Sequence, residues 1–333
     1  MTAPVATALA GFGWWGRKMF SLLHEQEAEL RIDAVIDPAL DRAEAQRLGL
    51  RQLPDLNTAL ADSEIEAVIL ATPHEQDEQQ VIACASAGKH TFCEKPLALH
   101  RAGAERMVAA CRAAGVVLGI GHERRFEPPL ARMLADAAAG RFGRLMQIEA
   151  HFSHDKFLAL QPGNWRLDPR QAPVAGLTAT GIHLTDLAIE LMGEAADVRV
   201  LCENLASPLP AGDTMSCHVR FRGGGSAYIS ACLALPFISR FAAYGSAGWM
   251  EIRDKAHLES PQGWLVIVAQ RGGPIQHSEV PAHEAVLDNL KAFAAAVRGV
   301  TPYPIRGEVM IANVALLEAI VGSAASGAVV QVE

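Results

Sequence analysis

Short apolar runs alternate with helical stretches through the first 120 residues, and that alternation leaves few folds open. VATALAG at 5–11 reads as a strand. GRKMFSLLHEQ then places Met19, Phe20, Leu22 and Leu23 at helical spacing. LRIDAVID and EAVILATP read as strands, HTFCEKP as a strand and turn, and VVLGIGH as a further strand. Between them DRAEAQRLG, EQQVIACASAG and HRAGAERMVAACRAAG read as helices, the first two closed by Gly49 and Gly88. Strands that are apolar throughout, each followed by a helix, predict an α/β fold: a doubly wound parallel sheet covered on both faces.

The first strand-to-helix turn carries Gly11, Gly13 and Gly16 as GFGWWG, and Asp37 closes the second strand 21 residues after Gly16. A GxGxxG pattern is weak alone, but between a strand and a helix, with an acidic residue at that distance, it predicts a dinucleotide site. Gly11 permits the tight turn, Gly13 lets the backbone approach a pyrophosphate, and Gly16 lets the helix pack closely. The helix N-terminus offers its N–H groups to the phosphates. Asp37 accepts hydrogen bonds from ribose hydroxyls and repels a 2′-phosphate, so NAD is expected and NADP is disfavoured. Phe12, Trp14 and Trp15 fall inside the loop; one tryptophan is expected on the sheet edge and the other in the cofactor cleft. The plainer alternative is a glycine turn followed by a solvent-exposed aspartate.

From residue 144 the pattern changes. LMQIEAHFSH, VRVLCENL, MSCHVRFRG, SAYISACLAL, RFAAYGS, WMEIRD and WLVIVAQ read as strands joined by short turns, which predicts an antiparallel meander. The expected organisation is a nucleotide-binding domain at 1–122 and an α+β domain at 123–333, the latter built on a large, mostly antiparallel open sheet. GIHLTDLAIELM at 181–192 reads as a helix. Leu184, Leu187, Ala188 and Leu191 form its apolar arc, and His183, Asp186 and Glu190 fall beside that arc. Spacing alone makes His183 a border residue, either lining a cleft or merely packing.

A net charge of −8 with no run of like charges argues against a nucleic-acid surface. No apolar segment is seen to approach the ~18 residues of a membrane span, and the final helix reads as core. The six cysteines include no CxxC pair, and the twelve histidines include no HxxxH or HExxH spacing. A reduced, cytoplasmic protein without a metal site is expected.

The stretches GFGWWG, VID at 35–37, VILATP at 68–73, AGKHTFCEKPLA at 87–98 and GHERRFEP at 121–128 together resemble the glucose-fructose oxidoreductase / inositol dehydrogenase / rhizopine-catabolism (Gfo/Idh/MocA) family. NWRLDP at 164–169, GIHLTDLAIELMG at 181–193 and ALLEAIVGSAASGAVVQV at 315–332 carry the likeness through the second half. The resemblance implies an NAD(P)-dependent oxidoreductase acting on CH–OH groups of a sugar, cyclic polyol or similar small molecule. It implies Lys95 holding the reacting oxygen and His183 exchanging its proton as general acid/base. It places Thr72, Pro73, His74, Glu94 and Lys95 beside the cofactor, and Arg125, Trp165 and Arg166 near it. For Arg125 a salt-bridged pair is the bland alternative. The free face of the large sheet, read as apolar, implies a second subunit, hence a homodimer or homotetramer.

Two positions depart from the family pattern. An aspartate commonly stands one helical turn before the histidine, and here that residue is Ala179, flanked by Thr178 and Thr180. Asp77 stands where a histidine is common. Ala179 leaves two readings open. Either Lys95 and His183 act with a carboxylate from elsewhere, for which Asp155, Asp168 and Asp186 are candidates, or the chain is a catalytically silent NAD(P)-binding regulator. HFSHDKFLALQPGNW, with His151, His154, Asp155 and Lys156, is expected to contribute to substrate specificity.

Overall fold

In the computed structural model, which describes residues 3–25 and 29–333, the early alternation becomes six parallel strands. They are β1 (Val5–Ala10), β2 (Leu30–Ile36), β3 (Arg51–Gln52), β4 (Ala67–Leu70), β5 (His90–Cys93) and β6 (Leu118–Ile120), in the order β3-β2-β1-β4-β5-β6. The order reverses between β1 and β4, and in such a sheet the crevice outside the carboxyl ends at the reversal is where a ligand binds. Every residue of β4 is buried, as expected of a strand covered on both faces. Leu9, Val35, Ile69 and Phe92 of the sheet pack with Met19 and Leu22 of the Trp14–Glu25 helix.

This unit is discontinuous in sequence. Residues up to Glu123 are joined by Val286–Ile311 from the far end of the chain, where a contiguous domain from 123 to 333 was expected. Leu290 and Phe293 of the Ala285–Val297 helix enter the same core, and Phe293 meets Phe92 edge to face at 5.6 Å. Gly119 makes room for both rings, since a Cβ there would lie 2.8 Å from each.

The second unit, Arg124–Ala285 with Ala312–Glu333, holds a nine-stranded sheet. Its strands are β7 (Leu145–Ser153), β8 (Ala195–Glu203), β9 (Thr214–Phe221), β10 (Ser226–Cys232), β11 (Ile238–Gly245), β12 (Gly248–Asp254), β13 (Trp264–Gln270), β14 (Gln276–Val280) and β15 (Val330–Gln331). The order is β14-β13-β12-β11-β7-β10-β9-β8-β15. The sheet is not a simple meander: β7 is inserted at its centre, antiparallel to β11 but parallel to β10. Ile148, Ala150 and Phe152 of β7 and Ala227 and Ile229 of β10 point to the buried face, where the helix Ile182–Met192 is seated. Gly176, in the lead-in to that helix, has no room for a Cβ, which would fall 2.5 Å from the Ala231 carbonyl oxygen of β10.

The opposite face is mixed rather than apolar. Arg240 pairs with Glu149 and Glu251, Arg253 pairs with Glu251, and His218 stacks on Tyr228 at 4.5 Å. The Gly307–Ser326 helix, read from sequence as core, is by length and composition apolar enough to cross a membrane, although no segment was expected to approach that length. It packs in the core, as expected. Met310, Val314, Leu316, Leu317 and Ile320 are buried, and Asn313 binds the Ile182 carbonyl and the Thr185 hydroxyl.

Arg124 anchors this unit from inside. It is buried and binds Glu127, Asp254 and Ser239, while Trp264 Nε1 donates to Glu127. Burial, joined by the nearby Asp254, pushes the Glu127 carboxyl up to about 7 from its ordinary 4.5, although Arg124 opposes the shift. The folded chain therefore keeps a proton that the unfolded chain releases. Stability is fully present below pH ~4.5 and declines toward pH ~7, by about 3 kcal/mol. Glu127→Gln is expected to lose this slope, so its stability relative to the wild type should rise across that window in urea titrations. A constant difference between the two proteins would refute the shift.

Candidate functional site

The register of the parallel sheet positions the candidate residues of the first unit. Ala10 pairs with Ile36 and with Leu70, and Leu70 with Cys93. The residues that follow these strand ends (Gly11–Gly16, Asp37, Thr72–His74, Glu94 and Lys95) therefore emerge along one edge. Gly11 has φ +89°, and a Cβ on it would meet the Ala71 carbonyl oxygen at 2.4 Å. A Cβ on Gly16 would meet the Gly11 carbonyl oxygen at 2.2 Å, so this glycine is needed for the helix to sit against the loop. At Gly13 no protein atom lies within 4 Å of a built Cβ. Packing within the chain does not call for glycine there; close approach of a ligand does. The loop thus fits a dinucleotide pyrophosphate.

Asp37 is fixed by two backbone donors, Phe12 N–H at 2.6 Å and Ala39 N–H at 2.8 Å. Phe12 itself turns inward, 3% exposed and packed on Phe20, so it offers a ligand neither its ring nor its N–H. Trp14 is half exposed and contacts the partly buried Trp15, which packs against the core. Arg17 lies over the Phe12 ring and is held by Glu44 at 2.5 Å.

Beyond β5, Glu94 is buried with its carboxylate against the Cα of Gly121, where a Cβ would approach within 2.5 Å. Its Oε2 accepts the Lys95 N–H at 3.3 Å, and the Lys95–Pro96 peptide is cis. Lys95 is partly exposed. Beyond β4, Pro73 leads into a single tight turn, His74–Gln76, and then the Asp77–Ser86 helix.

In the second unit, a π-helical turn, Leu177–Gly181, runs into the Ile182–Met192 helix and sets His183 in its first turn, 2% exposed. His183 and His257 both flank the Phe152 ring, at 6.4 Å and 5.5 Å, and His154 meets His257 at 5.4 Å. Backbone N–H groups of Lys156 and Glu259 donate to Nδ1 of His154 and His257 respectively. The neutral rings therefore carry their proton on Nε2. His257 sits in a loop with no motif, and nothing in the sequence singled it out.

The expected cofactor contact at Arg125 gives way to an internal clamp. Its guanidinium binds both Asp186 carboxylate oxygens at 2.6 and 2.8 Å, the Asp186 carbonyl, and Glu190 at 2.7 Å. Arg125 thereby pins the helix that carries His183. Trp165 and Arg166 stack on each other at 4.2 Å in a short turn capped by Asn164.

The carboxylates proposed to replace the one missing at Ala179 are otherwise placed. Asp186 is held by Arg125. Asp168 is held by Arg170, which lowers its carboxyl to about 2. Asp155 is exposed. Ala179 packs on the apolar cluster of Ala175, Leu209 and Leu233, and the Thr180 hydroxyl is spent on the Phe152 and Gly176 carbonyls. Among the described residues no group of His, Cys, Asp and Glu could hold a metal ion.

Residues 5–122 match an oxidoreductase family with an NAD-binding Rossmann fold, GFO/IDH/MocA, and residues 131–251 match the GFO/IDH/MocA C-terminal domain. A 1,5-anhydro-D-fructose reductase of Ensifer adhaerens is 28% identical over 288 residues, covering 85% of this chain and 84% of the relative. A myo-inositol 2-dehydrogenase of Thermotoga maritima is 24% identical over 315 residues, covering 86% and 87%. Among solved structures, levoglucosan dehydrogenase in complex with NADH and L-sorbose superposes with a TM-score of 0.85 at 22% identity, over the whole of both chains. Aldose-aldose oxidoreductase from Caulobacter crescentus gives 0.85 at 22% identity over 98% and 99%. At such identities the structural likeness establishes the fold.

Proposed function

This chain belongs to the Gfo/Idh/MocA family of oxidoreductases, and we propose that it uses NAD to interconvert a secondary alcohol and a ketone on a sugar, cyclic polyol or close relative. The observation that carries the reading is the single edge on which the glycine loop, Asp37, Glu94 and Lys95 emerge together. Bound NAD supplies the hydride acceptor.

Oxidation of an alcohol also requires a proton to leave oxygen. Lys95 holds that oxygen and stabilises the alkoxide charge as it develops. His183 accepts the proton and returns it in the reverse direction, a task suited to an imidazole near neutral pH. Glu94, locked against Gly121, fixes the backbone from which Lys95 projects. Asp37 stands at the end of β2, where a carboxylate accepts from ribose hydroxyls and repels a 2′-phosphate, and the nearby Arg17 is engaged by Glu44. This favours NAD over NADP. The 1,5-anhydro-sugar and inositol named for the relatives support a cyclic polyol or sugar substrate.

One observation favours the silent-binder reading: Ala179 faces an apolar cluster, so its surroundings do not ask for a carboxylate. Purified protein with NAD and a panel of inositols, aldoses, anhydro-sugars and sugar acids separates the two. Growth of reduced-nicotinamide absorbance with any of them supports the enzyme; a flat trace from folded, NAD-binding protein supports the binder.

The mixed outer face of the large sheet exposes Leu201 and Tyr228 around a groove of about 400 Å³. We assign that face to a second copy of the chain, giving a homodimer or homotetramer. A solution mass near 35.5 kDa by light scattering would reject this.

A further inference from the structure

A buried acid lies beneath the strand edge that carries Thr72, His74 and Glu94, and no role above uses it. Asp77, the first residue of its helix, is 0% exposed. Its Oδ2 has no hydrogen-bond partner among the described residues, and His74 Nδ1 stands 3.7 Å away. Its Oδ1 lies 3.4 Å from the Thr72 hydroxyl. That hydroxyl is closer, at 2.7 Å, to Oε1 of Gln80, whose amide N–H in turn donates to Gln76.

Counting protons decides what Asp77 is. The Thr72 hydroxyl has one hydrogen and gives it to the nearer acceptor, Gln80, so it presents a lone pair to Asp77. A carboxylate there would face a lone pair on one oxygen and, on the other, only His74 Nδ1 at 3.7 Å, beyond hydrogen-bond distance, in a site shared with Glu94. A buried charge left so unpaired is strongly disfavoured. A protonated carboxyl satisfies the same geometry: its O–H donates to Thr72, and its carbonyl oxygen faces His74 Nδ1.

We propose that Asp77 serves the cofactor site as a neutral acid that positions Thr72 and holds His74 in its Nδ1–H tautomer. This rests on the reading in which Thr72 and His74 belong to that site. Burial pushes the Asp77 carboxyl well above the usual carboxylate range; the Thr72 hydroxyl opposes the shift and Glu94 adds to it. Beside the His74 imidazole, Cys93 and Glu78 also lie near it and bring no positive charge. Cys93 is a buried thiol pushed up by its own burial, and Glu78, next on the helix, is paired outward with Arg106. With Nδ1 protonated, His74 keeps Nε2 as a hydrogen-bond acceptor, so the site gains an acceptor without gaining charge.

Asparagine reproduces the neutral acid, since its N–H donates to Thr72 and its oxygen faces His74. Asp77→Ala is expected to weaken NAD binding about tenfold through lost positioning, and Asp77→Asn to recover it to within about threefold. Imidazole ¹⁵N shifts of His74 should report a neutral Nδ1–H ring at neutral pH in the wild type and in Asp77→Asn. Asn as damaging as Ala at an unchanged melting temperature, or a His74 proton found on Nε2, would overturn the proposal. The nitrogen shifts need no turnover and no folded variant. A wild type that oxidises nothing therefore counts against the functional reading alone.

Discussion

Lys95→Ala is expected to lower kcat by ~10²–10³-fold, the scale of losing one preorganised charge stabiliser at a developing oxyanion, and to leave NAD affinity nearly intact. The expectation follows from where Lys95 stands. Its backbone is fixed by Glu94, itself locked against Gly121, while its side chain is partly exposed and fills no core. Truncation therefore removes a charge without opening a cavity. The phosphate-facing loop, Gly11–Gly16, is held by contacts with Ala71 and Asp37 that do not involve Lys95. Quenching of Trp14 and Trp15 fluorescence gives NAD affinity, and initial rates on whichever substrate the panel yields give turnover. Retained turnover would remove Lys95 from the chemistry, and lost NAD binding would make it a cofactor ligand only.

The parts of this arrangement that were legible in sequence are those written into local pattern. The parallel strands are apolar because both their faces are covered, and the glycine loop declares itself because Gly11 and Gly16 have no room for a side chain. β14 was missed because its residues, Gln276–Val280, are nearly all exposed and carry no alternation. The central place of β7 was invisible for a different reason: strand order is set by pairings between segments far apart, and β7 meets β10 and β11 some 80 residues later. The same holds for Val286–Ile311. Nothing local to that segment announces that Phe293 will meet Phe92. Ala179 could be read as a missing carboxylate, but not as a member of an apolar cluster assembled from residues 175, 209 and 233.

Arg125 shows the limit most sharply, and it yields the largest expected effect on stability. A lone arginine in ERRFEP suggests an anion ligand; only the fold reveals that Asp186 and Glu190, 61 and 65 residues on, take its donors. Asp186 is 1% exposed. Removing the guanidinium strands a buried carboxylate, which costs about 3–5 kcal/mol, or on the order of 10 °C in melting temperature. Arg125→Ala should therefore melt early and lose turnover, because the clamped helix carries His183. Arg125→Lys should recover only part, since an ammonium cannot match the forked contact. Arg125→Ala with Asp186→Ala should lose less than Arg125→Ala alone, because the cost lies mainly in the unpaired charge and the second change removes it. NAD affinity measured well below the melting transition should stay at the wild-type value. A variant with normal melting and weakened NAD binding would reverse the assignment and return Arg125 to the cofactor.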